Sequence, residues 1–368
     1  MSKQSNVWKK FSRNKMAVIG LSFISLITLS AILGYLITPD DSPMANRMNL
    51  AISIKKPGST FTFLSIPFKG KTENILQKML LGESLQPNLI PITSYRISGD
   101  SIHYREYTGD DENLEIQHLP LKAFGQVSNH KNFIDQYILQ KTFWIGTDVY
   151  GRDMLSRIII GARMSLMVGF MAVLLSLGLG LIMGALAGYF GGRTDAMISW
   201  FMNVLWALPA LLLVIAISFA LGKGVWQVFI AIGLSLWVEV ARLVRGQFMS
   251  MRNAQFVEAA KALGYGNLRI IFKHILPNIL GPLTVIAASN FASAILLEAG
   301  LSFLGFGAQP PTPTWGGMIK EHYGYIIMDA AYLALFPGLF IMLVVYAFNL
   351  ITLGLRDLYD IRSQNSNM

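Results

Sequence analysis

The chain has 368 residues, of which 53% are hydrophobic and only 14% charged, and its mean hydropathy is +0.48. Soluble domains carry about 25% charged residues, so this deficit points to a membrane protein. There is no cysteine, which excludes disulfides, thiolate catalysis and cysteine-ligated metals, and the net charge of +9 lies in short clusters beside apolar runs, a topology signal and not a nucleic-acid-binding face.

The basic lead Lys9-Lys10-Phe11-Ser12-Arg13-Asn14-Lys15 opens into an apolar run over residues 16–37. That run is longer than the roughly 7–15-residue core of a cleaved signal peptide, and at about 1.5 Å per residue it crosses a hydrocarbon layer of about 30 Å. It predicts a first transmembrane helix, with residues 1–15 as a cytoplasmic N-terminal segment.

Residues 38–142 have a different character. From Asp40 to Arg157 there are 13 Lys/Arg and 13 Asp/Glu, a near-neutral polar stretch. Phe61-Thr62-Phe63-Leu64-Ser65-Ile66 reads as a strand, residues 92–98 and 102–107 as a hairpin turning at Gly99-Asp100, and residues 75–81 as a short helix. Asp110-Asp111-Glu112 reads as a solvated turn. The expectation is a small inserted α+β domain.

Five further apolar runs follow, at residues 165–189, 198–221, 225–244, 279–304 and 332–355. Each is long enough to span, and the Gly and Pro inside them are tolerated in membrane helices. The fold class expected is therefore an all-α polytopic membrane protein with six transmembrane helices, a five-helix core over residues 164–355, and a tail over 356–368. With the N-terminus inside, the cytoplasmic segments hold 14 Lys/Arg against 4 Asp/Glu, whereas the short outer loops hold only Lys223 and Lys320 as basic residues. This positive-inside pattern puts both termini in the cytoplasm of a multi-pass cell-membrane protein and the 38–142 domain outside.

Ahead of the second run stands Trp144-Ile145-Gly146-Thr147-Asp148-Val149-Tyr150-Gly151-Arg152-Asp153-Met154-Leu155-Ser156-Arg157. Gly146-Thr147-Asp148 and Gly151-Arg152-Asp153 are turn and cap chemistry. They lead an amphipathic segment over 143–163, which either holds the outer end of the span or takes a direct part in substrate access. Between the fourth and fifth runs lies a cytoplasmic loop over 245–278. There, good helix formers over 254–263 follow Asn253 as an N-cap, and Gly264 stops them. Asn267 caps a second helix over 268–275, which Pro277 ends. Glu258 and Lys261 are placed for an i,i+3 pair, and small Ala259 and Ala260 admit another backbone. The result is either a knob for a partner's groove or an amphipathic segment on lipid headgroups.

The order Glu258-Ala259-Ala260, Gly264, then His274-Ile275-Leu276-Pro277 resembles the "EAA" loop of ABC importer permeases. His274 departs from the general pattern, which has isoleucine, in a way the peptide-importer branch tolerates. The Gly-Thr-Asp and Gly-Arg-Asp string resembles the oligopeptide and dipeptide permease group, as does Ile295-Leu296-Leu297-Glu298-Ala299-Gly300-Leu301-Ser302-Phe303-Leu304-Gly305-Phe306-Gly307 with Pro310-Pro311 and Thr314-Trp315-Gly316. The resemblance covers residues 1–38 and 143–360 but not the outer insertion. It implies a type I importer permease fold and import of peptides. It also implies coupling to an ATP-binding subunit through Glu258, Ala259, Ala260, Gly264, Tyr265, Leu276 and Pro277. The partners implied are a homologous second permease, two ATP-binding subunits and an extracytoplasmic peptide-binding protein.

Acids inside spans default to a functional reading. Arg242, three residues after Glu239, predicts an ion pair at the inner boundary. Glu298 has no local partner by spacing, and either faces the pathway or braces a neighbouring subunit. Ser289, Asn290 and Ser293 on the same run are either pathway lining or interhelical hydrogen-bonding groups. The sequence holds no GxxxxGK[ST] loop, no HExxH and no GxSxG, so neither an enzyme, a metal site nor a bound cofactor is expected, and ATP hydrolysis falls to partner subunits. Two other readings stay open: a nickel or metal-chelate importer permease, and a membrane sensor with an outer ligand-binding domain.

Overall fold

The computed structural model describes residues 11–67, 74–84, 86–109, 115–124 and 130–365. The Lys9-Lys10 lead and the Asp110-Asp111-Glu112 turn lie outside them. Helix α1 (Lys15–Ile32) begins on Asn14, whose Oδ1 accepts the Ala17 N–H at 3.1 Å, and a one-turn helix α2 (Gly34–Ile37) continues it.

The polar stretch that follows forms one antiparallel sheet from β1 (Ser59–Ile66), β2 (Asn88–Ser98), β3 (Ser101–Glu106), β4 (Ile116–Pro120) and β5 (Ile138–Phe143), in the order β4-β3-β2-β1-β5. The hairpin turns at Gly99-Asp100, with Ser98 opposite Ser101. Helix α3 (Ile75–Leu81) lies between β1 and β2 in the chain, and α4 (His130–Tyr137) precedes β5. Alternation gives the sheet two faces. Leu64, Ile92, Ile102 and Tyr104 bury against Leu121, Phe124 and the α4 residue Phe133, whereas Phe63 and Phe143 turn the other way, onto Ile52.

One side chain ties this region to the membrane helices. Arg163 donates to the carbonyls of Ala31 and Ile32 at the end of α1, both at 2.9 Å, and to those of Met79 and Leu80 at the end of α3, at 3.0 and 2.9 Å. Its guanidinium also lies 4.9 Å from the centre of the Tyr35 ring. It thus caps two helix C-termini at once, where carbonyls have no partner of their own. Arg163→Met should cost about 1.5–3 kcal/mol, the worth of hydrogen bonds to a charged group, and should expose residues 74–84 to protease; unchanged protection would refute the clamp.

Among the described residues five helices are long and apolar enough to cross a membrane, or six if one bent pair is a single span. They are α1, α5 (Met154–Phe190), α8 (Val225–Met251), α10 (Asn267–Phe303) and α12 (Tyr332–Asn365, apolar to Tyr359); the bent pair is α6 (Gly192–Trp206) with α7 (Ala210–Leu221). Helix α11 (Trp315–His322) caps one end of the bundle. The tightest pair is α5 with α8. A Cβ on Gly180, Gly184 or Gly188 would lie 2.5–2.6 Å from Val240 Cβ, the Ala241 carbonyl and the Arg245 carbonyl respectively. Small residues every fourth position allow this backbone approach. A second core joins α1, α5, α10, α11 and α12 through Ile27, Leu166, Ile295, Trp315, Val344 and Phe348.

Three expectations about the spans change. The run at 198–221 is not one straight helix: it breaks at residues 207–209 and turns by 94°. Pro209 lacks an N–H and disfavours helical geometry at Leu208, so the ladder ends there. The amphipathic segment before the second span is not separate, because from Met154 it is one helix of 37 residues with the span, N-capped by Asp153. Pro277 does not end the second loop helix. That helix runs on from Asn267 to Phe303 through a widened π turn at Ile271–Ile275. The wider turn accommodates the missing N–H and the ring of Pro277, which a regular α turn would not.

Candidate functional site

At one end of the bundle, α8 ends at Met251 and the chain turns into α9 (Gln255–Ala262). The N-cap is Ala254, not Asn253, and the next helix is capped by Gly266, not Asn267. The side chain of Asn267 instead accepts the Tyr189 hydroxyl at 2.9 Å, tying the elbow to the end of α5. Gly264 has φ +77, and Tyr265 N–H reaches back to the Ala260 carbonyl at 3.1 Å. This left-handed cap is the geometry that glycine supplies at low cost and that sets the angle between α9 and α10.

The elbow has two faces. Val257 and Ala260 are buried with Ile270, Ile271, Ile275 and Ile279 against Tyr189, Val244 and Phe248. Glu258, Ala259 and Pro277 are exposed, Tyr265 and Leu276 half-buried. Ala259 and Ala260 therefore do not share a role, one facing out and the other in. The expected Glu258–Lys261 pair is absent among the described residues; Lys261 Nζ lies 3.5 Å from the Arg252 carbonyl. Tyr265 sits between the Arg269 guanidinium, 4.0 Å from its centre, and the His274 ring at 5.7 Å. Sequence reasoning missed Phe256, Leu263, Leu268 and Phe272, all exposed on the outer side of the elbow. Their signal was large apolar side chains recurring across the loop, on α9, at its C-cap and in the first turns of α10.

At the far end of α5, about 55 Å away along its axis at 1.5 Å per residue, lies a buried charge cluster. Asp148 is fully buried; its Oδ1 accepts the Tyr150 and Arg152 N–H groups, both at 2.9 Å, and its Oδ2 meets Arg152 Nε at 2.5 Å. Arg152 also reaches Glu321 at 2.9 Å and Asn46 at 3.1 Å, and Arg157 lies 3.3 Å from Glu321 and 3.6 Å from Asp148. Two buried guanidiniums thus face one buried carboxylate, Asp148, and one half-buried carboxylate, Glu321. Thr147 Oγ1 donates to the Ile52 carbonyl and accepts the Lys55 N–H at 2.8 Å. A Cβ on Gly146 or Gly151 would strike the carbonyls of Lys55 or Asn49. The string at residues 146–153 therefore locks the segment after α2 onto the head of α5. Glu321, from α11, was not legible as its partner.

Asp148, Glu321 and His322 also bring one ligand atom each within 4.8 Å of one another. Both carboxylates are already held by arginines, and His322 Nδ1 is 2.7 Å from the Met318 carbonyl. Burial lowers the His322 pKa, with the Met318 carbonyl and the two carboxylates acting in the opposite sense. An added divalent cation would displace ion pairs whose partners stay buried.

Inside the bundle, Glu298 is not without a partner. Its carboxylate accepts from Ser302 Oγ at 2.8 Å and Ser165 Oγ at 3.2 Å, and Ser302 Oγ is 3.4 Å from Thr314 Oγ1. The Trp315 N–H lies 3.4 Å from Ser165 Oγ and its indole donates to the Ile158 carbonyl at 3.0 Å. The acid therefore joins α5, α10 and the start of α11. Asn290 is fully buried and neither amide atom has a partner among the described residues; Ser289 and Ser293 are half-buried. The expected Glu239–Arg242 pair is absent among the described residues. Arg242 instead donates to Asn203 at 2.8 Å and stacks 4.5 Å over Trp206, on the bent helix α6.

A bundle of five or six apolar helices, with an amphipathic elbow at one end and buried ion pairs at the other, defines a polytopic helical membrane protein. Residues 176–364 match the family described as binding-protein-dependent transport system inner membrane component, and residues 4–51 match the N-terminal transmembrane domain of oligopeptide transport permease C. The chain belongs to the family of binding-protein-dependent transport system inner membrane components. It is 48% identical over 217 residues to the dipeptide transport system permease protein DppC of Alkalihalophilus pseudofirmus, covering 59% of this chain and 71% of that protein. It is 42% identical to the oligopeptide permease OppC of Haemophilus influenzae, over 59% of this chain and 70% of that one. To the di/tripeptide permease DppC of Pseudomonas aeruginosa it is 44% identical, over 62% and 75% respectively.

Proposed function

We propose that this chain is a transmembrane subunit of an ATP-driven importer of short peptides, supplying half of the translocation pathway. The observation that carries the reading is the elbow of α9 and α10. One face is built into the cores of α5 and α8, while Phe256, Leu263, Leu268 and Phe272 stand exposed beside Glu258 and Ala259. Such a unit transmits force because it is rigid on the bundle side and offers apolar anchors on the other. The cargo class rests on relatives named for dipeptides, oligopeptides and di/tripeptides.

In this reading the elbow, including Gly264, Tyr265, Leu276 and Pro277, docks on an ATP-binding subunit in the cytoplasm. Both termini lie on the same side, as the positive-inside pattern favours. The sheet region, residues 38–142, is an extracytoplasmic inserted domain, and the string at residues 146–153 holds the outer end of the second span. Two ATP-binding subunits, a homologous second permease and an extracytoplasmic peptide-binding protein complete the assembly. ATP hydrolysis occurs in the partners, and their closure shifts the bundle between two packings. Ser289 and Ser293, with Asn290, line the pathway side of α10, and Glu298 serves as an internal brace.

The test is a Leu263→Asp/Phe272→Asp variant, whose altered side chains are exposed and do not enter the core. It is expected to insert in the membrane at normal level, to lose co-purification of the ATP-binding subunits, and to lower dipeptide uptake at least tenfold, the effect of about 1.4 kcal/mol of lost docking energy. Normal uptake by this variant would sink the coupling role. Uptake of a metal chelate with no uptake of dipeptide by the wild type would sink the cargo class.

A further inference from the structure

A cavity of about 400 Å³ opens where the sheet meets the head of α5, a size in the range of small-ligand pockets, roughly 300–1,000 Å³. Its wall comes from residues between Pro39 and Ile52, Ser84 with Gln86 and Leu89, strand β5 from Lys141 to Phe143, and the turn holding Gly151 and Asp153. Ile52, Phe63 and Phe143 supply an apolar side. Of its four charged lining residues, Asp40 and Arg47 are already engaged. Asp40 accepts the N–H groups of Ser42 and Arg47 at 3.0 and 3.2 Å, and Arg47 contacts Gln86 and Asp41.

Two charges are not. Asp153 is only 4% exposed; its Oδ2 takes the N–H and hydroxyl of Ser156, but its Oδ1 has no hydrogen-bond partner among the described residues. Lys141 has a single hydrogen bond, to the Pro39 carbonyl at 3.3 Å, and no carboxylate within 4.0 Å among those residues. The two line one cavity without meeting. Burial pushes the Asp153 carboxyl up and the Lys141 ammonium down, as expected where neither charge is fully compensated. A buried acceptor with no partner and a half-buried ammonium with no carboxylate each cost free energy, which a ligand recovers by supplying what is missing.

We propose that this cavity binds a small zwitterion of amino-acid to dipeptide size, with its ammonium on Asp153 Oδ1, its carboxylate on Lys141 Nζ and its apolar part against Phe63 and Phe143. A simple anion would satisfy Lys141 and be repelled by Asp153; a simple cation has the reverse defect. A molecule with both ends pairs both groups and adds no net charge to a buried site. Its occupancy bridges β5 to the residue that caps α5, and so ties the sheet to the second span. The cavity lies outside the helix bundle, so binding there does not depend on the transport reading.

The full chain in lipid nanodiscs, titrated calorimetrically with L-alanyl-L-alanine, tests this. One saturable site is expected, weakened about tenfold or more by N-acetylation of the dipeptide and likewise by amidation of its C-terminus. Asp153→Asn, which keeps a good N-cap, and Lys141→Gln should weaken it to a similar degree. Hydrogen exchange should slow on ligand addition at residues 39–49 and 141–143. No saturable binding, or binding indifferent to both the acetyl and amide caps, overturns the proposal without reference to any variant. Binding untouched by both substitutions also overturns it, because the dipeptide then sits elsewhere.

Discussion

Gly184→Leu is expected to abolish stable folding of the bundle, with little or no monodisperse protein surviving detergent extraction. A Cβ at residue 184 would lie 2.5 Å from the Ala241 carbonyl oxygen, 2.7 Å from Val244 Cβ and 3.0 Å from the Arg245 nitrogen. Two of these three are backbone atoms, so no rotamer change relieves the clash, and α5 and α8 must move apart. Overpacking costs about 1–3 kcal/mol where side chains can adjust and more where they cannot; Gly184→Ala should fall within that range and Gly184→Leu beyond it. Gly178 is the control on the same helix, with nothing within 4 Å of its Cβ position. Gly178→Ala should lose no thermal stability in the same detergent, since alanine is the better helix former. Equal losses at the two positions would mean that the close approach of α5 to α8 is not what holds the pair.

Asp148→Ala is the second large effect. The carboxylate is fully buried, faces Arg152 at 2.5 Å and Arg157 at 3.6 Å, and also accepts two backbone N–H groups. Removing it leaves two buried guanidiniums with only Glu321 between them. Breaking a buried pair from one side costs about 3–5 kcal/mol, to be read as a fall in the thermal unfolding midpoint of the purified chain. Asp148→Asn keeps one acceptor for the backbone and loses the charge, so it should fall between wild type and Asp148→Ala. If Asp148→Asn matches wild type, the turn hydrogen bonds and not the ion pairs carry the cluster.

The spans were legible because hydrocarbon imposes a length and a composition that few other structures share. The hairpin at Gly99-Asp100, the strand at Phe61–Ile66 and the helix at Ile75–Leu81 were legible because turn residues and two-residue alternation act locally. Helix joints were less so. Pro209 breaks a helix and Pro277 does not, although both stand among apolar residues. Leu208 and Pro209 can turn away at the bundle's edge, whereas Ile271, Ile275 and Ile279 are buried on α5 and α8, and that packing carries the chain through Pro277 as a π turn. Local propensity is the weaker term when a buried apolar stripe continues past the proline. The same holds for charge: spacing paired Glu239 with Arg242 and Glu258 with Lys261, but both basic residues found other partners.

By itself, the sequence determined which segments are long and apolar enough to cross a membrane, that a glycine-stopped elbow stands between two of them, and that no GxxxxGK[ST] string occurs in it. These follow from composition, period and short motifs, all read within about twenty residues. The tertiary structure alone decided that Glu321 joins Asp148 in facing Arg152 and Arg157, that Glu298 is held by Ser165 and Ser302, that Arg163 caps two helices, and that Asp153 and Lys141 share a cavity. Most of these join groups far apart in the chain, and Lys141 and Asp153, though near in sequence, stand on a strand and a helix cap that only packing brings to one cavity. No local rule specifies such pairs, because their distance is set by how whole helices and a sheet pack.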